Sequence, residues 1–321
     1  TDTGLALRRP PERPHDLADV YRITLEPPPE APIELFASTP AAPIELASVI
    51  GDASAGDIVQ LGDGRYIGPA RIPDGVTVRG LGPDRTTIDG IESVAVVLGR
   101  GARLEHCSVV GGGQRVIWLP KTVVRIAGGS SSLLGCDIDG HIDVAGDGAK
   151  VSSCRAAGLV AAGAERLTVT RSTFEGSQWD CSIDLSGGSG HAVESCELSG
   201  FLVGIRCTGT VGAVLRGNRI QGRWWAIQLV DTDGTTVIGN AIERTMRAID
   251  VDGGTHAEVS GNAISDGDSG CVVQRGAADV AVAGNRWERC RLGLLAWDAA
   301  TVRHHDNAAV DLTDAAVTVG P

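Results

Sequence analysis

The chain has 321 residues and a formal net charge of −12; 42% of its residues are hydrophobic, yet only 3% are aromatic. This acidic balance, without a basic stripe, argues against a nucleic-acid partner, and no apolar run approaches the ~18 residues that a membrane span requires. The 44 glycines and the scarcity of aromatic residues favour short strands joined by tight turns over long helices. We therefore expect a soluble all-β protein.

The N-terminal segment differs in composition from the rest. Its sequences RRPPERP and LEPPPEAP are rich in Pro, Arg and Glu, which is typical of an extended arm. We therefore divide the chain into an arm (residues 1–43) and one domain (residues 44–321). The amphipathic stretch Ile44–Ala53 predicts a short helix that caps the domain. The sequence shows no signal peptide, so we expect a cytoplasmic location; secretion stays open because numbering begins at Thr1 and a leader could have been removed.

A repeat of about 22 residues governs the second half of the chain. The segments AVLRGNRIQGRWWAIQLVDTDG and TTVIGNAIERTMRAIDVDGGTH each run from a short alternating strand through Gly-Asn into a second alternating strand. Their asparagines are separated by 22, 22, 23 and 22 residues; they are Asn218, Asn240, Asn262, Asn285 and Asn307. This spacing predicts a right-handed parallel β-helix of roughly 22-residue coils, with the asparagines stacked at a bend, where they tolerate left-handed backbone geometry.

The asparagine column continues upstream with cysteine and serine, at less regular intervals. Its upstream members are Cys196, Ser172, Cys154, Cys136 and Cys107. Stacked cysteines behave as small buried hydrophobes, and their parallel side chains disfavour disulfides. The sequence has no CxxC pair and no Cys/His cluster at zinc spacing. We therefore expect core thiols, no metal site and no cofactor.

A second column fixes the register of the other strand. Ile183, Ile205, Ile227, Ile249 and Cys271 are each 22 residues apart and predict inward positions. Because side chains alternate along a strand, the following residues point outward. The first outward column comprises Asp184, Arg206, Gln228 and Asp250, with Asp143 as its upward extension. The next outward column comprises Ser186, Thr208, Val230 and Asp252.

Two parts of the sequence resemble the pectin lyase-like β-helix superfamily. One is the opening at 56–90, GDIVQLGDGRYIGPARIPDGVTVRGLGPDRTTIDG, and the other is the SGNAI-type repeat. The resemblance implies the fold but leaves activity open, because the superfamily contains lyases, hydrolases, epimerases and non-catalytic proteins. The superfamily's hydrolase motifs are mostly missing: Gly190-His191 is followed by Ala192, Asp250 and Asp252 are not adjacent, and there is no R-I-K.

The residues best suited to catalysis are predicted to lie on the outward face. Asp250 and Asp252 stand two residues apart, roughly 6.5–7 Å along a strand, a spacing that suits an acid–base carboxylate pair. Asp184 and Arg206 are one coil apart and are expected to form a surface ion pair. The alternative, in a functional site, is that Arg206 binds a substrate carboxylate bidentately.

Consecutive tryptophans lie at a turn beside this face. At least one of Trp224 and Trp225 is expected to face outward, where an indole stacks on a sugar ring; packing under a loop or the arm is the equal alternative. We take Gln228 and Asp143 as further substrate-binding residues.

Our leading hypothesis is a carbohydrate-active enzyme, a hydrolase, lyase or epimerase on an oligo- or polysaccharide. Asp184, Arg206, Asp250 and Asp252 are its candidate catalytic residues. The alternatives are a non-catalytic binding or scaffold protein, and a tailoring enzyme for a small molecule or peptide.

Overall fold

The computed structural model describes residues 43–91, 94–111, 121–176, 181–299, 301–314 and 317–319. Residues 1–42, which include all but the last residue of the predicted arm (residues 1–43), lie outside this range. Each coil contains up to three strands, here called the A, B and C strands in chain order. All strand pairings join equivalent strands of successive coils and are parallel.

The A strands form a 12-stranded sheet of the described chain. They are Ile58–Gln60, Thr77–Arg79, Arg103–Glu105, Ser132–Leu134, Lys150–Ser152, Thr168–Thr170, Ala192–Glu194, Val214–Arg216, Thr236–Ile238, Glu258–Ser260, Val280–Ala283 and Val302–His305.

Among the described residues, the B and C strands form a second sheet of 23 strands. They join into one sheet because two long strands, Asp137–Val144 and Arg155–Ala162, serve as B and C at once. The other B strands are Ile44–Glu45, Gly64–Ile67, Thr86–Asp89, Ser108–Val110, Thr173–Glu175, Glu197–Ser199, Arg219–Gln221, Ala241–Glu243, Ala263–Ser265, Arg286–Glu288 and Ala308–Val310. The other C strands are Ala70–Ile72, Val96–Leu98, Thr122–Ile126, Cys181–Ser186, Val203–Thr208, Trp225–Val230, Arg247–Asp252, Ser269–Gln274, Leu292–Ala296 and Val317–Val319.

This architecture confirms the predicted all-β right-handed parallel β-helix, with about 11 coils of roughly 22 residues. The inward column of the C strands is in the predicted register, and its members are fully buried. The helix Leu46–Ile50 lies within the predicted capping stretch and buries Leu46 and Ile50. It is shorter than predicted, because Ile44–Glu45 pairs as a strand.

The asparagine column forms a hydrogen-bonded ladder in the turn between A and B strands. The side-chain oxygen of Asn240 accepts the backbone N–H of Asn218 at 2.9 Å and its Nδ2 at 3.0 Å. Nδ2 of Asn240 in turn donates to Leu215 O at 3.0 Å and to Oδ1 of Asn262 at 2.9 Å. Each buried rung therefore satisfies main-chain groups on neighbouring coils, as the stacking prediction required.

The left-handed residue of this turn is the one before each asparagine, not the asparagine itself. Gly217 and Gly239 have φ of 61° and 65°, and Ser195 occupies the same place before Cys196 with φ of 55°. This corrects the expectation that the ladder residue tolerates left-handed geometry. Glycine recurs there because it adopts positive φ without steric cost.

The upstream cysteines of the ladder lie in the core as free thiols. Cys107, Cys136, Cys154 and Cys196 are all buried, and none is in a disulfide. Burial raises the pKa of Cys107 to about 12 and that of Cys196 to about 11. The expectation of core thiols is confirmed for these positions.

Candidate functional site

The outward column of the C strands holds most of the residues that the sequence singled out. Asp184 pairs in register with Arg206, Arg206 with Gln228, and Gln228 with Asp250. The predicted column therefore exists in the predicted order. Successive members lie roughly 4.8 Å apart at the backbone, the spacing of neighbouring strands.

Asp143 belongs to the same column but stands apart from the rest. Val160 lies between it and Asp184 in the register. The carboxylate of Asp143 accepts a hydrogen bond from Nε of Arg125 at 2.8 Å, on the coil before it. Asp143 is therefore part of a separate ion pair, two coils away from Asp184.

Arg206 and Asp184 form a bidentate ion pair across successive coils. Nε of Arg206 donates to Oδ1 of Asp184 at 3.2 Å, and Nη2 donates to Oδ2. The hydrogen bonds to Asp184 raise the pKa of Arg206. The fork that the sequence offered to a substrate carboxylate is therefore occupied by a carboxylate of the protein itself.

Asp250 is a buried carboxyl group surrounded by polar side chains. Its Oδ1 accepts hydrogen bonds from Nη1 of Arg247 and from Nε2 of Gln274, both at 3.2 Å. Burial raises its pKa, the charge of Asp252 raises it further, and Arg247 and Gln228 act in the opposite direction. The effect of burial on the pKa of Asp250 is thus larger than the opposing effect of the Arg247 guanidinium, and the net shift is upward.

Asp252 differs from Asp250 in how its two oxygens are bound. Nη1 of Arg275 donates to Oδ2 of Asp252 at 3.1 Å. Oδ1 is buried and has no hydrogen-bond donor among the residues the structure describes. A buried carboxylate oxygen without a donor is unusual, and it leaves an acceptor available at this position.

The solvated face that the sequence predicted is corrected at these two acids. Asp250 is 1% and Asp252 9% exposed, and the neighbouring Val272 and Gln274 of the next coil are buried as well. Strand alternation gives the direction in which a side chain points. It does not reveal which groups lie over it.

The two tryptophans lie where the strand Trp225–Val230 begins. Trp224 is 44% exposed, whereas Trp225 is half-buried. Their ring centroids are 5.8 Å apart and their planes are inclined by 32°. An outward-facing indole is therefore present beside the column, as predicted, and its role in binding a sugar stays a prediction.

A second polar cluster, which the sequence analysis passed over, lies on the long strand Asp137–Val144. Asp137, Asp139 and His141 alternate along it with inward-facing residues. A register shift between Ile138 and His141 marks a β-bulge, a feature that re-aims side chains and is common near active sites. The alternating acids of DIDGHIDV were a usable signal in the sequence.

The same cluster borders a polar cavity of about 380 Å³. On its rim, Nη2 of Arg155 donates to Oε2 of Glu175 at 2.6 Å. Nζ of Lys121 lies 3.7 Å from Oδ2 of Asp139. Most of its charged groups are thus arranged in opposite-sign pairs, with the bulged strand between them.

Neither a metal-binding cluster nor a helix long enough for a bilayer is found in the described part of the chain. Within it, no group of three or more His, Cys, Asp or Glu side chains is arranged to hold a metal ion. Its only helix is far too short to cross a bilayer.

Comparison with known proteins supports the fold. Residues 157–311 match the sequence family described as "Right handed beta helix region". The structure resembles PfbA, a surface adhesin of Streptococcus pneumoniae, with a TM-score of 0.67 and 13% identity over 84% of this chain and 87% of that one. No curated protein sequence matches.

Two enzymes share the fold, with TM-scores close to each other. The first is a GH87 α-1,3-glucanase from Streptomyces thermodiastaticus, with a TM-score of 0.58 and 13% identity over 88% of this chain and 70% of the glucanase. The second is an exopolygalacturonase from Thermotoga maritima, with a TM-score of 0.57 and 11% identity over 79% and 84% of the two chains. At such identities the likeness shows the fold alone. The cytoplasmic location expected from the sequence finds no support in these relatives.

Proposed function

We propose that this right-handed parallel β-helix acts on an oligo- or polysaccharide by acid–base chemistry, with Asp250 and Asp252 as the reacting pair. One observation carries the proposal: two buried carboxyl groups on one strand have different surroundings. Asp250 is desolvated and its pKa is raised, while Asp252 is held by the exposed guanidinium of Arg275. Acid–base pairs are built from carboxyls whose environments separate their pKa values.

The two acids would divide the work of proton transfer. Asp250, whose pKa is raised by burial, is the proton donor. Asp252, paired with Arg275 and carrying one oxygen without a described donor, is the partner that accepts a proton or stabilises positive charge. Hydrolysis, β-elimination and epimerisation of sugars all require such a division, because each moves protons to or from neighbouring atoms of the ring.

The rest of the column would bind the sugar chain. Gln228 lies between Arg206 and Asp250 in the register, and the pair Asp184–Arg206 and then Asp143 continue along the helix axis. An extended polymer lying along the C strands would meet these groups in succession. Trp224 offers an exposed ring at the edge of the same face. The two sugar-polymer hydrolases with this fold are consistent with such a substrate.

The test is a turnover screen against acidic and neutral oligosaccharides, followed by Asp250→Asn on any substrate found. The variant keeps the shape of the side chain but cannot donate a carboxyl proton, so turnover is expected to fall by about 10²–10⁴-fold. Asp63→Asn is the matched control, since it removes an acid from an exposed ion pair with Arg85. Full activity of Asp250→Asn, or no turnover of any glycan, would overturn the catalytic proposal.

Non-catalytic glycan binding is the second candidate, favoured by the ion pairs of the outward column. Arg125 with Asp143, and Arg206 with Asp184, neutralise one another within the face. A face whose charged side chains are already paired with each other suits a binding surface. It suits acid–base catalysis less well, because catalytic groups must gain and lose protons. Glycan binding without turnover, unaffected by Asp250→Asn, is the result that would select this candidate.

A further inference from the structure

A recurring contact in this chain joins an arginine to an aspartate of the coil before it. In each case Nε and Nη2 of the arginine donate to Oδ1 and Oδ2 of an aspartate 22 or 23 residues earlier. It occurs at Asp63–Arg85, Asp184–Arg206, Asp266–Arg289 and Asp268–Arg291. The coil-to-coil distance therefore suits a bidentate carboxylate above an arginine.

Arg244 occupies the same kind of position but has a glycine above it. The residues that follow successive B strands form one column, in which Gly222, Arg244, Asp266 and Arg289 are neighbours. Arg289 takes the carboxylate of Asp266 at 2.7 and 3.0 Å. Among the described residues, no acidic side chain lies within ion-pair distance of Arg244, whose charge reaches Asp266 only through space.

A cavity of about 320 Å³ lies where the missing carboxylate would be. Six of its lining residues are Gly200, Phe201, Gln221, Gly222, Arg223 and Arg244.

The chain cannot supply the missing acid from Gly222. A Cβ atom there would lie 2.3 Å from Cε2 of Phe201, and Phe201 is itself buried at 1% exposure. The ring therefore holds this position as glycine. Two guanidinium groups border the opening, in a protein whose net charge is −12.

We propose that this cavity binds an oxyanion, a carboxylate or sulfate group, which takes the place that an aspartate of the preceding coil takes above Arg85, Arg206, Arg289 and Arg291. Arg244 provides the fork and Arg223 a second positive charge at the rim. The anion is either free in solution or carried on a sugar. The site lies at the turn after the B strands and does not require the proposed catalytic pair to act.

Binding is measured by isothermal titration calorimetry at fixed low ionic strength. The probes are sodium sulfate, trigalacturonate and its uncharged methyl ester. Arg244→Ala is expected to weaken binding of the charged probes roughly tenfold or more, as for a lost hydrogen bond to a charged group. Arg244→Lys should restore little, because an ammonium group cannot form the fork.

Arg216→Ala is the control, since it removes an arginine that is 60% exposed from an A strand of a neighbouring coil. It is expected to leave binding within about twofold, the effect of a distant screened charge. Binding of sulfate alone identifies a free anion as the ligand, and tighter binding of trigalacturonate identifies a sugar-borne one. The proposal is overturned if neither charged probe binds, if the methyl ester binds equally well, or if Arg216→Ala weakens binding as much as Arg244→Ala. Because no turnover is measured, these outcomes are independent of the Asp250→Asn result.

Discussion

Arg206 holds both carboxylate oxygens of Asp184 from the next coil of the helix. The distance from Nε of Arg206 to Oδ1 of Asp184 is 3.2 Å, and the side chain of Asp184 is 17% exposed. The pair sits in the middle of the outward column, between Asp143, which is paired with Arg125, and the buried Asp250. Its contribution to stability and its contribution to binding can be separated by experiment.

The Asp184–Arg206 pair should contribute a measurable but small coupling energy. A double-mutant cycle with Asp184→Asn and Arg206→Ala, followed by urea unfolding at pH 7, is expected to give about 1 kcal/mol, at the upper end for partly exposed pairs. The coupling should shrink in 1 M NaCl because salt screens exposed charges. A coupling of zero at low salt would contradict the bidentate geometry.

Removing one rung of the asparagine ladder should destabilise the whole helix. Asn240→Leu leaves the backbone N–H of Asn218 and the carbonyl of Leu215 without their buried partners, at a cost of about 1–3 kcal/mol each. Thermal and urea unfolding measure the loss. Gln221→Leu, which removes a half-buried contact to Glu243, should cost much less. An unchanged melting temperature for Asn240→Leu would refute the ladder.

Asp250 should make the protein less stable as the pH rises. Its pKa is raised in the folded state, so the native protein binds this proton more tightly than the unfolded chain does. Stability is then lost as pH increases from the unfolded pKa, about 3.9, through the raised folded value. Asp250→Asn lacks this loss, so its stability relative to wild type should improve from pH 4 to pH 8. Parallel pH profiles in urea unfolding would exclude the raised pKa.

The core thiols should resist chemical modification in the native protein. Burial raises the pKa values of Cys107, Cys181 and Cys207 to about 12, so few thiolates form at pH 8. We expect the seven buried cysteines to react with a thiol reagent only after denaturation, whereas the half-buried Cys181 should react slowly in the native protein. Mass spectrometry locates the labelled sites. Rapid native labelling of Cys107 would show that the first coils are open.

Replacing glycine with alanine should destabilise the protein to very different extents at two positions. At Gly128 a Cβ would lie 2.1 Å from the backbone nitrogen of Arg100, which cannot move aside, so Gly128→Ala is expected to cost about 3 kcal/mol or more. At Gly239 nothing lies within 4 Å and only the positive φ of 65° opposes a side chain, a cost of about 1–2 kcal/mol. Equal effects in urea unfolding would contradict the close coil-to-coil approach at Gly128.

The fold could be predicted from the sequence because equivalent residues of successive coils recur at a nearly constant interval. Five asparagines at intervals of 22 or 23 residues, and an isoleucine column with the same period, leave few alternatives for which positions stack. The register then gave Asp184 and Arg206 as neighbours without further information. The less regular upstream rungs were also placed correctly, since each is followed by a strand of the same kind.

The candidate site was less predictable because it depends on what surrounds each side chain. Outward alternation placed Asp250 correctly but gave no indication that it is buried, or that Gln274 of the next coil donates to it. The cluster at Asp139 and His141 depends on a bulge that merges two strands, and a strict 22-residue period conceals such an irregularity. The cavity at Arg244 exists because Phe201 excludes a side chain at Gly222, a three-dimensional constraint.

The ladder also bears on how such a chain could lengthen. Each of the asparagine rungs Asn240 and Asn262 donates from its backbone N–H and Nδ2 to the coil after it. Each also accepts at Oδ1 from the coil before it and donates from Nδ2 to a carbonyl of that coil. A duplicated coil inserted between them would therefore find matching partners on both sides and add roughly 4.8 Å to the solenoid. Growth by duplication of single coils would leave the core intact, and each new coil would add one position to the outward column on which selection can act.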